Sequence, residues 1–233
     1  MMNIIFDLDG TIIDSVPGIK DSLIYAIREQ GHMIDDDIDI SSLIGPPMSN
    51  IVKTLLEPYA DDRVEETINI YRAHYGQYGL YNSLIYEGVL LMLDKLRQSG
   101  SKLFIATSKR QPFAEKILGE MGISTLFSDI IGTPADGSMD DKSKLLAYLI
   151  TKHEVDPSRS IMVGDRKDDI IGARDNHLSS IGVLWGYGTY DELSTHQADY
   201  LCDQPDKLCD VIDKIKSLHP ASLHPASLHP AIV

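Results

Sequence analysis

The stretch Met2-Asn3-Ile4-Ile5-Phe6-Asp7-Leu8-Asp9-Gly10-Thr11 sets an apolar run directly before two acids that flank one leucine. A short apolar run bounded by turn formers reads as a buried strand, here Met2–Phe6. In an open α/β sheet, ligands bind beyond the carboxyl ends of the strands. Asp7 and Asp9, just past such an end, can converge on one site through a turn that Gly10 permits. Asp and Gly are common turn formers, but a turn does not call for an acid on each side of a leucine straight after a buried strand.

Further apolar runs follow at Lys102–Thr107, Ser128–Gly132, Ser160–Gly164 and Ser180–Leu184, with a short last one at Asp199–Cys202. Between them, Val89–Gln98, Gln111–Met121, Lys142–Lys152, Asp168–Asn176 and Lys207–Lys216 carry helical spacing. Strands alternating with helices of this length predict an α/β fold, a Rossmann-like parallel sheet with helices on both faces.

One segment breaks the alternation. Residues 15–84 hold no convincing strand and at least three helical patterns: Ile19–Gln30, Ser49–Leu56 and Asp62–Tyr78. A crossover helix needs only about a dozen residues, so this block reads as an inserted α-helical cap domain. The expected organisation is therefore a core of 1–14 and 85–216, a cap of 15–84, and a tail of 217–233. The tail repeats Ser-Leu-His-Pro-Ala three times from Ser217 to Ala231. A proline every fifth residue cannot continue a helix, and the repeat buries no face, so the tail is expected to be disordered.

The composition is that of an ordinary globular protein, 43% hydrophobic and 24% charged, with a formal net charge of −14. A groove for nucleic acid needs clustered Lys and Arg, and none occurs, so no nucleic-acid partner is expected. No apolar run of about 18 residues predicts a membrane span, and the first residues lack the basic start of a secretory leader. Cys202 and Cys209 match no zinc or redox spacing and read as reduced thiols. Together these point to the cytoplasm. An acidic protein that takes an anionic ligand must recruit local positive charge, from a bound cation or a few placed lysines.

Three more signals fall at or near strand ends. Ala106-Thr107-Ser108-Lys109 offers hydroxyls, backbone N–H groups and a cation for phosphate oxygens, although Thr-Ser after a strand is often only a cap. Lys142 opens a helix and competes with Lys144, which lies about 200° further around it. Gly164-Asp165-Arg166-Lys167-Asp168-Asp169 places three acids in five residues; a helix N-terminus favouring negative charge accounts for Asp168 better than for Asp165.

This ordered set, from Met2 to about Lys216, resembles the haloacid dehalogenase superfamily. Asp7-Leu8-Asp9-Gly10-Thr11 looks like its first motif, Thr107 or Ser108 its second, Lys142 its third, and Gly164-Asp165 with Asp169 its fourth. The helical insertion is similar to the small cap of the phosphoglycolate phosphatase and β-phosphoglucomutase branch. The resemblance implies a Mg²⁺-dependent phosphatase in which Asp7 attacks phosphorus and Asp9 serves as general acid and base. It implies Mg²⁺ held by Asp7, the backbone carbonyl of Asp9, and Asp165, with Asp169 beside or just behind them. Lys142 would pair with Asp7 and a phosphate oxygen, and Thr107, Ser108 or neighbouring N–H groups would take another oxygen.

The implied partner is a small phosphorylated metabolite: phosphoglycolate, a nucleoside monophosphate, a sugar phosphate or pyrophosphate. A phosphomutase similar to β-phosphoglucomutase would share every core motif. A catalytically silent phospho-ligand or partner-binding protein would be expected to lose one of these aspartates. In the cap, Gly45-Pro46-Pro47-Met48 is either a substrate-facing loop or a rigid turn. Lys53 and Arg72 are cations to check, and Tyr59, Tyr71, Tyr75, Tyr78 and Tyr81 read as packing rather than as a stacking platform.

Overall fold

The computed structural model describes residues 2–218 and 231–232. In chain order the elements are β1 (Asn3–Phe6), β2 (Ile13–Asp14), α1 (Val16–Glu29), α2 (Met48–Leu56), α3 (Val64–Gln77), β3 (Leu84–Ile85), α4 (Val89–Gln98) and β4 (Lys102–Arg110). They continue with α5 (Gln111–Glu120), β5 (Asp129–Thr133), α6 (Lys142–His153), β6 (Ser160–Gly164), α7 (Lys167–Asp175), β7 (Ser179–Val183), α8 (Tyr190–Thr195), β8 (Tyr200–Cys202), α9 (Leu208–Leu218) and β9 (Ala231–Ile232). The chain divides into two compact units, Asp14–Leu84 and the remainder.

The larger unit is built on a parallel sheet ordered β5-β4-β1-β6-β7-β8-β9. From β1 the chain moves to β4 and β5 on one side, and it later returns to β6, β7 and β8 on the other. The connections that follow β1 and β6 therefore leave in opposite directions, which opens a crevice above their carboxyl ends. Ile5, Phe104, Ile131 and Met162 pack on one face against Leu145, Leu146 and Leu149 of α6 and Ala173 of α7. The residues that alternate with them, Ile4, Phe6, Leu103, Ile105, Ile161 and Val163, are buried as well. Successive strand residues point to opposite faces, so burial of both sets means a sheet covered on both sides, as its unbroken apolar strands require.

Two features differ from the sequence expectation. Strand β4 runs three residues past Thr107, through an irregularity between Ala106 and Arg110, before Arg110 pairs with Thr133. The two-residue strands β2 and β3, whose pattern is too short to read, pair with each other in a separate sheet.

The smaller unit buries Leu23, Ala26 and Ile27 of α1, Val52 and Leu56 of α2, and Ile68, Tyr71 and Tyr75 of α3. Gly18 is required in α1, because a Cβ there would lie 1.9 Å from the Gly79 carbonyl oxygen. Tyr71 and Tyr75 stack with ring centroids 5.4 Å apart, whereas Tyr78 and Tyr81 are exposed. The Tyr59 hydroxyl donates to the Met33 carbonyl. Lys53 is exposed and Arg72 half-buried, and Gly45, ahead of the two prolines, has φ +126°.

The expected disordered tail lies mostly outside the described residues: Ser217 and Leu218 end α9, and β9 runs parallel to β8. Cys202 and Cys209 are free thiols, and burial pushes the Cys202 thiol up to about 11. Among the described residues no helix is long and apolar enough to cross a membrane.

Met162 is wholly buried in the central strand β6. Truncating Met162→Ala is expected to cost about 2–5 kcal/mol in urea unfolding. A loss under about 1 kcal/mol would contradict a packed sheet face at that position.

Candidate active site at the carboxyl ends of the strands

The Asp7 N–H still belongs to the sheet and donates to the Val163 carbonyl at 2.9 Å. The chain then turns back on itself: the Leu8 carbonyl accepts from Ile12 N at 2.9 Å and Ile13 N at 3.1 Å. Gly10, at φ +79°, makes this turn possible, and a Cβ there would also stand 2.2 Å from Asp165 Oδ2. The turn thus brings the first acidic motif against the acid that follows β6.

Asp7, Asp165 and Asp169 are buried and each offers an oxygen within 4.8 Å of the others'. Lys142 reaches into this group from the first turn of α6. Its Nζ lies 3.0 Å from Asp7 Oδ1, 2.9 Å from Asp169 Oδ1 and 2.9 Å from the Ala106 carbonyl. The ammonium donates to Asp7 Oδ1 and to the Ala106 carbonyl, and it faces Asp169 Oδ1 as an ion pair. Gly172 of α7 leaves room for the lysine stem, since a Cβ there would sit 2.9 Å from Lys142 Cγ. Lys144, the other lysine of that helix turn, is exposed, and its N–H is capped by Asp141 at 3.1 Å.

Burial works against the charge on Lys142, but Asp169 and Asp7 more than offset it and hold the ammonium above its ordinary range. The acids respond differently. Burial, with the charges of Asp169 and Asp7 nearby, lifts Asp165 well above the usual carboxylate range. Burial also raises Asp169, against the pull of Lys142. Asp165 is otherwise held by the Tyr187 N–H at 2.8 Å and the Thr11 hydroxyl at 3.3 Å. One lysine cannot compensate three buried carboxylates. A cluster of hard oxygen donors at this spacing fits a divalent cation such as Mg²⁺.

Asp9 has a different environment. Its Oδ2 pairs with Lys109 Nζ at 3.1 Å, and both side chains are mostly buried. Thr107 is buried, and its Oγ1 accepts the Lys109 N–H at 3.2 Å. The carbonyl of Ser108 accepts the Thr133 hydroxyl at 3.1 Å, which ties this residue to β5. Asp169 also caps α7, accepting the Arg166 N–H at 3.1 Å. Arg166 Nε pairs with Glu192 at 3.0 Å.

The structure thus brings Asp7, Lys142, Asp165 and Asp169 into one cluster and places Asp9 on Lys109, a residue read from the sequence only as a strand-end cation. Sequence reasoning missed the segment Trp185-Gly186-Tyr187-Gly188 after β7. Trp185 Nε1 donates to the Thr11 carbonyl at 3.0 Å, and Tyr187 supplies its N–H to Asp165. Gly186 and Gly188 let this segment close on Asp165; a Cβ at Gly188 would lie 1.7 Å from the Asp165 carbonyl oxygen. Two glycines following the chain's single tryptophan, just after a strand, were the available signal.

The sequence profile of the haloacid dehalogenase-like hydrolases matches residues 4–183. The chain belongs to that family, and fold, site and relatives together define an enzyme of its phosphatase class. It is 34% identical to a 5'-nucleotidase of Pseudomonas aeruginosa, over 86% of this chain and 90% of that one. It is 28% identical to a phosphoglycolate phosphatase of Vibrio parahaemolyticus, over 90% and 95%. A tyrosine-protein kinase of Mycobacterium tuberculosis, PtkA, is 37% identical over 81% of this chain, which spans only 64% of the kinase. The crystal structure of a predicted phosphatase from Clostridium acetobutylicum superposes with a TM-score of 0.83 at 32% identity, covering 91% of this chain and 98% of that one.

Because ionised Asp165 is disfavoured where it stands, Asp165→Asn is expected to melt above the parent protein in the presence of a chelator. A melting point several degrees lower would show that the carboxylate itself stabilises the fold, contrary to the burial and like-charge argument.

Proposed function

We propose that this chain hydrolyses a small phosphomonoester in the cytoplasm through an aspartyl-phosphate on Asp7. The observation that carries the reading is the division of labour between the two acids of one turn. Asp7 is held by Lys142 at 3.0 Å beside two further buried carboxylates, and Asp9 is held apart on Lys109 at 3.1 Å. Two carboxylates in different environments can serve as nucleophile and as acid/base.

In the first step an Asp7 oxygen attacks phosphorus, the bond to the leaving oxygen breaks, and Asp9 supplies the proton that the alcohol takes away. In the second, Asp9 accepts a proton from water as the water oxygen attacks phosphorus. The Asp7–phosphorus bond then breaks, releasing inorganic phosphate and the free carboxylate. Thr107 Oγ1 already accepts a backbone N–H, so its own proton can go to a phosphate oxygen. A phosphate oxygen at Lys142 would take the donor that now faces Asp169 without a hydrogen bond, or would compete with Asp7 and the Ala106 carbonyl. Asp7, Asp165, the Asp9 carbonyl and Asp169 would hold Mg²⁺. When bound, the ion offsets repulsion between the anionic nucleophile and the anionic ester.

We assign the helical unit Asp14–Leu84 the role of a cap that selects the substrate, by family resemblance. The names of the relatives favour a nucleoside monophosphate or phosphoglycolate over a sugar phosphate. The test is turnover of a panel of phosphomonoesters with Mg²⁺. Asp7→Asn is expected to abolish turnover. Asp9→Asn is expected to lower kcat by about 10²–10⁴-fold, the usual worth of a placed general acid/base. A mutase would interconvert sugar phosphates instead of releasing phosphate, and labelling of a tyrosine substrate from ATP would favour the kinase relative's activity. Phosphate release that survives Asp7→Asn would overturn the reading.

A second prediction concerns pH. Asp165 and Asp169 titrate above the ordinary carboxylate range in the fold. The folded state then retains protons that the unfolded chain has released, and metal-free stability falls as pH rises above about 4. Mg²⁺ displaces those protons, so its stabilisation is expected to be large at neutral pH and to fade towards pH 5. At about a hundred times its Kd it adds about 2.7 kcal/mol. Equal shifts in melting temperature at both pH values would contradict the assignment of these acids as its ligands.

A further inference from the structure

We infer that Arg110, through Asp140, is the positioning residue that sets Lys142 in place for phosphoryl transfer; this rests on the role proposed for Lys142. Lys142 is the first residue of α6, and its place depends on the connection from β5, residues 134–141. That connection has little regular structure to define its path, and it turns at Gly137, which has φ +74°. Asp141 caps the helix and Met139 packs on the core, and a side chain from outside the connection also ties it down.

Arg110 does so from the end of β4. Its Nη1 lies 3.0 Å from Thr133 Oγ1, the last residue of β5, and 2.5 Å from the Pro134 carbonyl at the start of the connection. The same atom lies 2.6 Å from Asp140 Oδ1, two residues before Lys142, and Nη2 lies 3.4 Å from Asp140 Oδ2. One guanidinium therefore ties the first and last parts of the connection together. The planar fork is suited to this, because its donors are held in fixed directions. Both side chains are partly buried, at 21% and 30% exposure, so the pair is screened less than a surface ion pair.

The irregularity in β4 is what delivers it. Between Ala106 and Arg110 the register with β5 shifts, and pairing resumes at Arg110 with Thr133. The same few residues provide the Ala106 carbonyl that accepts from Lys142 and the Lys109 ammonium that pairs with Asp9. The Arg110 side chain bonds to Thr133, Pro134 and Asp140, away from the acids of the site. Its effect is on geometry, by holding the start of α6 where Lys142 Nζ meets Asp7 and Asp169. Misplacing a group by about 1 Å far from the chemistry can cost a hundredfold in rate.

The experiment is steady-state kinetics of the full chain with p-nitrophenyl phosphate and Mg²⁺, comparing Arg110→Met, Arg110→Lys and Asp140→Asn, each checked for folding by its melting curve. Arg110→Met is expected to lower kcat by about tenfold to a hundredfold with little change in KM. Arg110→Lys should recover part of the loss, and Asp140→Asn should share it. The decisive comparison is in a Lys142→Met background, where Arg110→Met is expected to add almost nothing, because the two residues act as one unit. If Arg110→Met fails to fold, Asp140→Asn, which keeps the size of the side chain, carries the same comparison. A folded variant with kcat within twofold of the parent would overturn the inference, as would an equal further loss in the Lys142→Met background. Failure of the underlying reading is distinguishable, since it would show as turnover that survives Asp7→Asn in the otherwise unaltered protein.

Discussion

Everything at the carboxyl end of the sheet depends on one buried ammonium. Lys142 meets Asp7, Asp169 and the Ala106 carbonyl at 2.9–3.0 Å, and it lies against two of the three buried acids. Taking carboxylates out of water costs several kcal/mol each unless charge and hydrogen bonds compensate. Lys142 balances two of them, and Asp165 is held by a backbone N–H and a hydroxyl, with the charge of Arg166 acting on it as well. The cluster offers oxygen donors of the kind a divalent cation takes. Stability is given up where charge is needed, a familiar trade at functional sites.

The same logic explains how a chain with a net charge of −14 can handle phosphate. The cations at the strand ends are placed singly against acids: Lys142 on Asp7 and Asp169, Lys109 on Asp9, Arg110 on Asp140 and Arg166 on Glu192. Each pair fixes a side chain or a loop at the strand ends. β4 contributes twice, with Lys109 turned to the acidic turn after β1 and Arg110 to the connection before α6.

Much of the fold was legible from the residues. Parallel strands buried on both faces read as unbroken apolar runs, so β1, β6 and β7 could be located to within a residue. The pattern became uninformative where polar residues continue a strand. The segment Thr107-Ser108-Lys109-Arg110 has no apolar period, and pairing with β5 lapses within it and resumes at Arg110. The segment Trp185–Gly188 was missed for a related reason: its work is done by a backbone N–H and by the absence of side chains, which carry little pattern.

What the sequence by itself determined is the order of the motifs and their attachment to strand ends. Asp7-Leu8-Asp9-Gly10-Thr11 after one apolar run and Gly164-Asp165 after another are local facts, set by burial period and turn chemistry. The choice of Lys142 over Lys144 rests on a helical angle, on its place at the start of the helix and on the family resemblance; in the structure the Lys142 ammonium lies among the acids and Lys144 is exposed. Only the tertiary structure could decide which acid meets which cation. Asp7 and Lys142 are 135 positions apart, and Asp9 pairs with a lysine a hundred residues away. Such partners are chosen by the order of strands in the sheet and by where each one ends, and neither is written in the local pattern of residues.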